Sequence, residues 1–324
     1  MNAPEAKKSC PHEPQAVEPG PGASDRRVGV EIEFGGLTAR EAARIVAHDQ
    51  GGTLEQLDPH RFEVNGTDFG KLRIELDSKY VHSPDGASDF ERKVRRLAGD
   101  VGSPVVPTEI VTEPISVDRI PDLDALLERL ADAGAVGTQQ PHLACGVHLN
   151  IEWQERDVRT LRRLLQAYLL LSPDLRAAIA PDRTRTLLPF IGHFPKDYEA
   201  KVLDPAYEPD LETFIADYCQ ANPSKNRELD LLPLLASIDE DKVASALGHP
   251  QPAVRPALHY RLPDARLGDP DWSIGKEWER WLTVEALMQD EERLGELLRE
   301  RSEAADRQNP ATAIRKLIKR VLPS

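Results

Sequence analysis

The chain has 324 residues, 30% of them charged and 40% hydrophobic, with a formal net charge of −14. That length can bury a substantial core in one large domain or two ordinary ones. The acidic balance excludes a nucleic-acid surface as the main business, because backbone binding needs a clustered basic patch. An acidic protein can still bind ATP where Mg2+ and a few arginines act locally, and the acidity can equally be a solubility feature. No apolar run approaches the ~20 residues of a membrane span, and nothing near the amino terminus looks like the core of a signal peptide. Cys10, Cys145 and Cys219 are too scattered for a disulfide framework or a zinc-ligand spacing. The expectation is a cytoplasmic protein in a reducing setting, with no nucleic-acid or membrane partner.

Residues 1–25 are rich in Pro, Gly, Ala and Glu and show no periodicity, so disorder is expected there. Cys10 and His12 on such a tail make a poor metal site. A first strand is predicted over 28–34. Thr38 followed by Glu41 is a capping-box signature for a helix over 39–47. Asn65-Gly66 reads as a turn leading to a second strand over 72–77. Helices are expected over 89–97 and over 123–130, the latter preceded by Pro121 and ending near Gly134. Between them lies a third strand, 109–114, and beyond them a fourth, 146–151.

The apolar spacing of Val158, Leu161, Leu164, Leu165, Tyr168 and Leu169 predicts a helix over 156–171. The Pro-rich stretch 180–209, with Arg183, Arg185 and Lys196, reads either as a mobile active-site loop or as a long connection. A fifth strand follows at 258–262. One long charged helix is predicted from Trp272 to about Arg301, its stripe made by Trp278, Trp281, Leu282, Leu287, Leu294 and Leu297. A short basic amphipathic helix over 311–322 would pack on the body or on a partner, with membrane-surface binding a minor alternative. Strands mixed with helices and followed by a helical end indicate an α+β fold with a mostly antiparallel sheet. The expected organisation is a tail (1–25), a catalytic domain (26–305) and a basic tail (306–324).

The five strands share one property. Side chains alternate between the two faces of a strand, so Val28, Val30, Ile32 and Phe34 oppose Glu31 and Glu33, and Leu72, Ile74 and Leu76 oppose Arg73, Glu75 and Asp77. Val147, Leu149 and Ile151 oppose His148 and Asn150, while Leu258, Tyr260 and Leu262 oppose His259 and Arg261. The polar faces carry Glu, Asp, His, Asn and Arg, with little of the Thr and Lys of an ordinary wet sheet, and that pattern points to a metal and phosphate site spread over a sheet. Hard oxygen ligands suit Mg2+ or Mn2+. So many acids on one face would repel strongly, so either metals neutralise them or the strands are not neighbours. Arg73 and Arg261 could cradle phosphate oxygens with the guanidinium fork; salt bridges to the acids are the alternative, favoured for Arg73.

The segments G-V-E-I-E-F (29–34), E-L-D-S (75–78), E-I-V-T-E-P-I (109–115) and G-V-H-L-N (146–150) resemble the amidoligase family. That family is similar to the carboxylate–amine ligase superfamily containing glutamate–cysteine ligase and glutamine synthetase. K-N-R-E-L-D-L (225–231) is similar to its K-Y-R-A-L-N segment, and Y-R-L-P (260–263) to its E-F-R strand. The likeness runs from about Arg27 to Met288. It implies a glutamine-synthetase-like funnel, a mostly antiparallel sheet with helices packed outside, that binds ATP and two or three Mg2+ ions, with Mn2+ as the alternative metal.

The implied reaction joins a carboxylate substrate to an amine or peptide substrate through an acyl phosphate, giving a γ-glutamyl or peptide-like amide. By motif position Glu31, Glu33, Glu75, His148 and His259 stand where metal ligands are expected. Arg261 would contact phosphate, Arg227 phosphate or the substrate carboxylate, and Asn150 the nucleotide. Glu109 and Glu113 would hold the amine substrate or merely finish the strand. Relatives commonly carry a Glu ligand where this chain has His259, and an Asn where it has Asp230. The first of these departures favours one alternative, a catalytically impaired nucleotide- or peptide-binding homologue; a small-molecule phosphotransferase is another, because guanidino kinases are similar to the superfamily in their sheet. Neither the oligomeric state nor the identity of the acid and amine can be read from these residues.

Overall fold

β1 (Arg27–Phe34) is apolar at every second position, so it needs cover on one face and pairing partners on both edges. In the computed structural model it has both. The structure describes residues 26–76, 106–140, 143–187, 189–250 and 253–308. The expected tail, Asp77, the 89–97 helix and the 311–322 helix lie outside the described residues.

β1 pairs antiparallel with β5 (Thr108–Thr112) on one side and β7 (Val147–Glu152) on the other, and the two-residue β6 (Ile115–Ser116) also pairs with it. The remaining strands are β2 (Thr53–Asp58), β3 (Arg61–Thr67), β4 (Gly70–Leu76), β8 (Leu229–Asp230) and β9 (Ala257–Tyr260). They extend an open sheet in the order β2-β3-β4-β5-β1-β7-β9-β8, and every pairing is antiparallel. The expected α+β class with an antiparallel sheet therefore holds.

Ten α-helices occur among the described residues. They are α1 (Ala39–Gln50), α2 (Ile120–Asp132), α3 (Val158–Ile179), α4 (Arg183–Leu187), α5 (Lys196–Val202), α6 (Leu211–Ala221), α7 (Leu232–Ile238), α8 (Glu240–Leu247), α9 (Ile274–Gln289) and α10 (Glu291–Gln308). None of the described helices is long and apolar enough to cross a membrane.

All five predicted strands form, and their apolar faces become one surface. Val28, Val30, Ile32, Phe34, Leu72, Ile74, Ile110, Val147, Leu149, Ile151, Leu258 and Tyr260 are all fully buried. Burying such a side chain contributes roughly 1.5–3 kcal/mol each, before ordering entropy is counted. α1 packs against β3 and β4. At the other end Tyr168 of α3 and Trp281 of α9 lie 6.0 and 5.3 Å from the Tyr260 ring, ring centre to ring centre, closing that part of the core. With the apolar side covered in this way, the polar side is left for chemistry.

Helix ends follow the local code. Thr38 Oγ1 accepts from the Glu41 backbone at 3.3 Å while Glu41 Oε2 accepts from the Thr38 backbone at 2.9 Å, the reciprocal pair anticipated for α1. Thr38→Ala is expected to lower global stability by about 1 kcal/mol, read as a shifted urea midpoint with an unchanged slope. A shift below a few tenths of that value would show that the cap is redundant.

Several boundaries differ from expectation. Asn65-Gly66 is not the hairpin turn; both lie in β3, where the pairing register slips between Val64 and Thr67, and the chain reverses at Thr67–Gly70. Thr67 Oγ1 accepts from Phe69 N and donates to Gly70 O, and Gly66 and Gly70 take the positive φ values of 76° and 74° that the bulge and turn require. α3 runs on through Pro173 to Ile179, because Ser172, Leu175 and Ile179 on the added turns are buried. That tertiary packing outweighs the local cost of a proline within a helix. The stretch 180–209 is neither a loose loop nor a bare connection, for it contains α4, α5 and a 3-10 turn (Pro189–Ile191). The predicted helix 272–301 is two helices, broken at Asp290, whose backbone N–H bonds Ala286 and whose Oδ1 caps Arg293 N at 2.9 Å.

Candidate active site

Register brings the polar strand faces together. Glu33 stands opposite Glu109, and Glu109 opposite Glu75. One pleat along, Glu31 stands opposite His148. One further, Gly29 faces Asn150, Asn150 faces His259, and His259 faces Asp230. The acids are therefore neighbours, and directly opposed like charges on a sheet destabilise it unless something answers them.

Part of the answer is internal. Glu31 accepts hydrogen bonds from His148 Nδ1 and from Asn150 Nδ2, each at 2.9 Å. Since a carboxylate only accepts, the proton of His148 sits on Nδ1 in this arrangement. Burial pushes the Glu31 carboxyl up, but the His148 hydrogen bond, the electrostatic attraction of the His259 and His148 rings as they protonate and the Asn150 amide override it and hold Glu31 well below the usual carboxylate range. Glu33 Oε2 accepts from Gly146 N at 2.8 Å.

His259 stacks edge-on against His148, ring centres 5.1 Å apart, with its Nε2 3.8 Å from Glu31 Oε2, too far for a hydrogen bond. Burial pulls its pKa well below the imidazole range; the Glu31 charge opposes this, while His148, Arg261 and Arg255 reinforce it. His259 is thus a neutral ring with a lone pair at neutral pH.

Two sets of three donors are compact enough to hold a cation, with their ligand atoms within 4.8 Å of one another: Glu31, His148 and His259, and Glu33, Glu109 and His148. A second observation supports a bound species. Among the described residues Asn150 Oδ1, His259 Nε2, Arg261 Nε and Arg261 Nη2 are buried polar atoms with no hydrogen-bond partner. Native interiors rarely leave such atoms unsatisfied. The first two are electron donors suited to a cation, and the last two are N–H groups suited to an anion. A divalent metal beside a phosphate oxygen would satisfy both kinds, so the residues present fit such a group.

Arg261 is 1% exposed; its backbone N bonds Glu228 O at 2.8 Å and its Nη1 bonds Lys225 O at 3.2 Å. Burial draws its pKa down, opposed by Glu31, Asp230 and Glu33, and guanidinium nonetheless stays charged in proteins. Asp230, behind His259, is pushed up to about 6 by burial, against the Leu232 N–H and the charges of Arg261, Lys225 and Arg255. The sign follows. A carboxyl raised from 3.8 to about 6 favours the fold most below pH 3.8 and loses that contribution as pH rises through about 6. Asp230→Asn keeps the oxygen that accepts from Leu232 N at 2.9 Å. It is expected to raise stability at pH 7 by up to roughly 3 kcal/mol and to flatten the difference in stability between pH 4 and pH 7. Parallel pH–stability curves for variant and wild type would refute this.

Other predicted residues land elsewhere. Glu75 lies on the polar face, but its carboxylate is paired with Arg61 and Arg73, each at 3.1 Å, so it joins neither cation-competent set and Arg73 is the salt-bridge residue anticipated. Glu113, just past the end of β5, accepts from Lys71 N at 3.1 Å and belongs to neither cation-competent set. Arg227 donates from Nε to Asn222 at 2.6 Å and from Nη2 to Ala221 O at 3.2 Å; among the described residues none of its contacts reaches the Glu31 group.

Sequence reasoning missed two buried ion pairs under the site. Glu228, 1% exposed, pairs with Arg176 and accepts from Ser172 Oγ at 2.5 Å. Arg185 pairs with Asp264 at 2.6 Å and also donates to the carbonyls of Arg261, Leu262 and Pro263 at 2.7–3.0 Å. Gly146 makes room for it, since a Cβ there would lie 2.6 Å from Arg185 Nη2. Two surface clefts of about 270 and 230 Å3 run along α3, lined by Arg159 and Arg162, and contain no residue of the polar face.

A family model described as "Putative amidoligase enzyme" matches residues 24–283. The chain belongs to that family. No curated protein and no solved structure matches it. The family match covers every residue of the polar strand faces, and the segments 29–34, 109–115 and 146–150 within it lie side by side in the sheet.

Proposed function

We propose that this amidoligase-family protein is an ATP-dependent carboxylate–amine ligase. The observation that carries the reading is the pairing, on one buried sheet face, of cation-competent donors (Glu31, Glu33, Glu109, His148, His259) with the unpartnered N–H groups of Arg261. Such a face serves chemistry that moves negative charge between phosphate oxygens. The glutamine-synthetase-like funnel, ATP and Mg2+ belong to this reading.

In the proposed reaction a substrate carboxylate oxygen attacks the γ-phosphorus of ATP. The bond from that phosphorus to the β–γ bridging oxygen breaks, and ADP leaves. The amine nitrogen then attacks the acyl carbon, the acyl C–O bond breaks, phosphate departs and the nitrogen loses a proton. Glu33 and Glu109 would hold Mg2+, which when bound supplies charge neutralisation at the phosphate oxygens. Arg261, anchored by its backbone to Glu228, would meet the transferring phosphoryl group with Nε and Nη2. His148 and Asn150 hold the Glu31 carboxylate ionised and fixed, so little reorganisation is needed there as charge develops.

The test is ADP and phosphate release by the full chain with Mg2+ or Mn2+ against a panel of amino acids, amines and peptides. Release that needs both an acid and an amine supports the reading. Absence of release across the panel, with tight nucleotide binding by calorimetry, selects the impaired homologue that His259 favours. A stable phosphorylated small molecule in place of an amide selects a phosphotransferase.

A further inference from the structure

We infer that the Glu31–His148–His259 group is a site for a divalent first-row transition cation and discriminates against Mg2+. This deepens the ligase reading and rests on it for the role of the cation, though not for the binding itself.

The donor set carries the argument. Mg2+ requires hard oxygen ligands in near-ideal octahedral geometry, and imidazole suits it poorly. Here two of the three donors are imidazoles, and the rings sit 5.1 Å apart beside the carboxylate they share. Two imidazoles with one carboxylate are a donor set for Mn2+, Fe2+, Co2+ or Zn2+.

Burial sharpens the point. His259 is 8% exposed, and its Nε2 has no hydrogen-bond partner among the described residues while lying 3.8 Å from Glu31 Oε2. With its proton on Nδ1, His259 presents the Nε2 lone pair beside the Glu31 carboxylate at a nearly dry position, as a cation ligand would. Asn150, also 8% exposed, adds an unpartnered Oδ1 on the same amide whose nitrogen orients Glu31. His259 cannot easily turn away, because Asp230 and Asn150 flank it in register and its backbone lies in β9.

His148 belongs to both donor sets. A neutral imidazole offers one lone pair, so His148 ligates in one set at a time. The other set must then work with its remaining donors: Glu33 and Glu109, which suit Mg2+, or Glu31, His259 and the Asn150 carbonyl, which suit the transition ion. The two positions thus differ in chemical hardness, and the chain divides its cations by type.

The experiment is calorimetric titration of the chelator-treated full chain with Mg2+, Mn2+ and Co2+, with the visible and paramagnetic proton spectra of the Co2+ form recorded alongside. The wild type is expected to bind one Co2+ at least about ten-fold tighter than Mg2+, with visible ligand-field bands and shifted, exchangeable histidine ring protons. His259→Glu should lower the Co2+-to-Mg2+ preference by about ten-fold or more and change those bands. The near-UV circular dichroism of the variant reports its fold. If the variant is unfolded, the shifted histidine ring protons of the wild type decide the matter by themselves. Mg2+ binding within about three-fold of Co2+, absence of shifted histidine protons, or an unchanged Co2+ spectrum in a folded His259→Glu overturns the inference. Amide formation with Mg2+ alone and no such preference defeats the inference and leaves the ligase reading standing. Tight Co2+ binding without nucleotide turnover under any metal does the reverse.

Discussion

Glu33→Gln is expected to reduce ATP-dependent amide formation by roughly 10^2–10^3-fold or more while leaving the metal-free fold as stable as before. The two halves of that outcome have one cause. Glu33 and Glu109 are 5% and 6% exposed and face each other across β1 and β5. Opposed buried carboxylates repel, a cost that a bound cation would relieve and that catalysis would exploit. Glutamine keeps an oxygen to accept from Gly146 N, which Glu33 does at 2.8 Å, and its amide can donate to Glu109. The variant loses a negative ligand and gains a quieter sheet. Initial rates of ADP release and the urea midpoint of the chelated protein measure the two effects. If activity survived within ten-fold, the carboxylate face would not be the centre of the chemistry. If stability collapsed instead, Glu33 would be a structural acid.

Arg185→Met is the substitution with the largest expected effect on the fold, about 3–5 kcal/mol of destabilisation. The reason is the asymmetry of buried charge. The side chains of Arg185 and Asp264 are 4% and 2% exposed, so removing the guanidinium leaves a carboxylate in a dry site, still accepting from Asp182 N at 2.8 Å. It also takes a donor from the carbonyls of Arg261 and Leu262, while Pro263 O keeps its bond from Val147 N at 3.0 Å. Since Arg185 grips the backbone of Arg261, the loss should reach the site and depress turnover in the surviving folded fraction. Removing both charges with Arg185→Met and Asp264→Leu should recover much of the stability, because an uncharged, well-packed replacement needs no partner. A single-variant loss below about 1 kcal/mol, or no recovery in the double variant, would show that the pair is not the clasp described.

How much of this was legible beforehand depends on how local the signal is. The five two-faced strands could be read because period-two alternation of Val, Ile and Leu with Glu, His and Asn is written into each segment. The cap at Thr38 and Glu41 was equally local. Strand β2, intermediate or exposed at every position, has no apolar face to announce it, and β3 shows only Phe62 and Val64 in alternation before Asn65-Gly66 interrupts the pattern. Helices α6, α7 and α8 also went unread, and the break at Asp290 could not be seen because the apolar stripe continues across it on both sides.

Among the site residues, Glu31, Glu33, His148, Asn150, His259 and Arg261 were all named from strand parity alone. Glu109 joins a cation-competent set and Glu75 does not, for a reason no single strand contains. Glu75 meets Arg61 across the β3–β4 pair, whereas Glu109 meets Glu33 across β5–β1. Arg227 lies in a segment that resembles a family motif, yet its guanidinium is tied to the end of α6.

By itself, then, the order of residues determined which side chains share a face, because a strand's side-chain period is a property of the covalent chain. It also determined the family, because the match to the family model runs along the sequence from 24 to 283. Only the tertiary structure decided which faces abut, in what register, and which charges are answered by others. Register comes from the burial of a whole apolar surface at once, and a partner's charge counts only after both groups have left water. That is why the acids could be enumerated from the segments, while the difference between Glu75, set between Arg61 and Arg73, and Glu33, set opposite Glu109, appeared only with the assembled sheet.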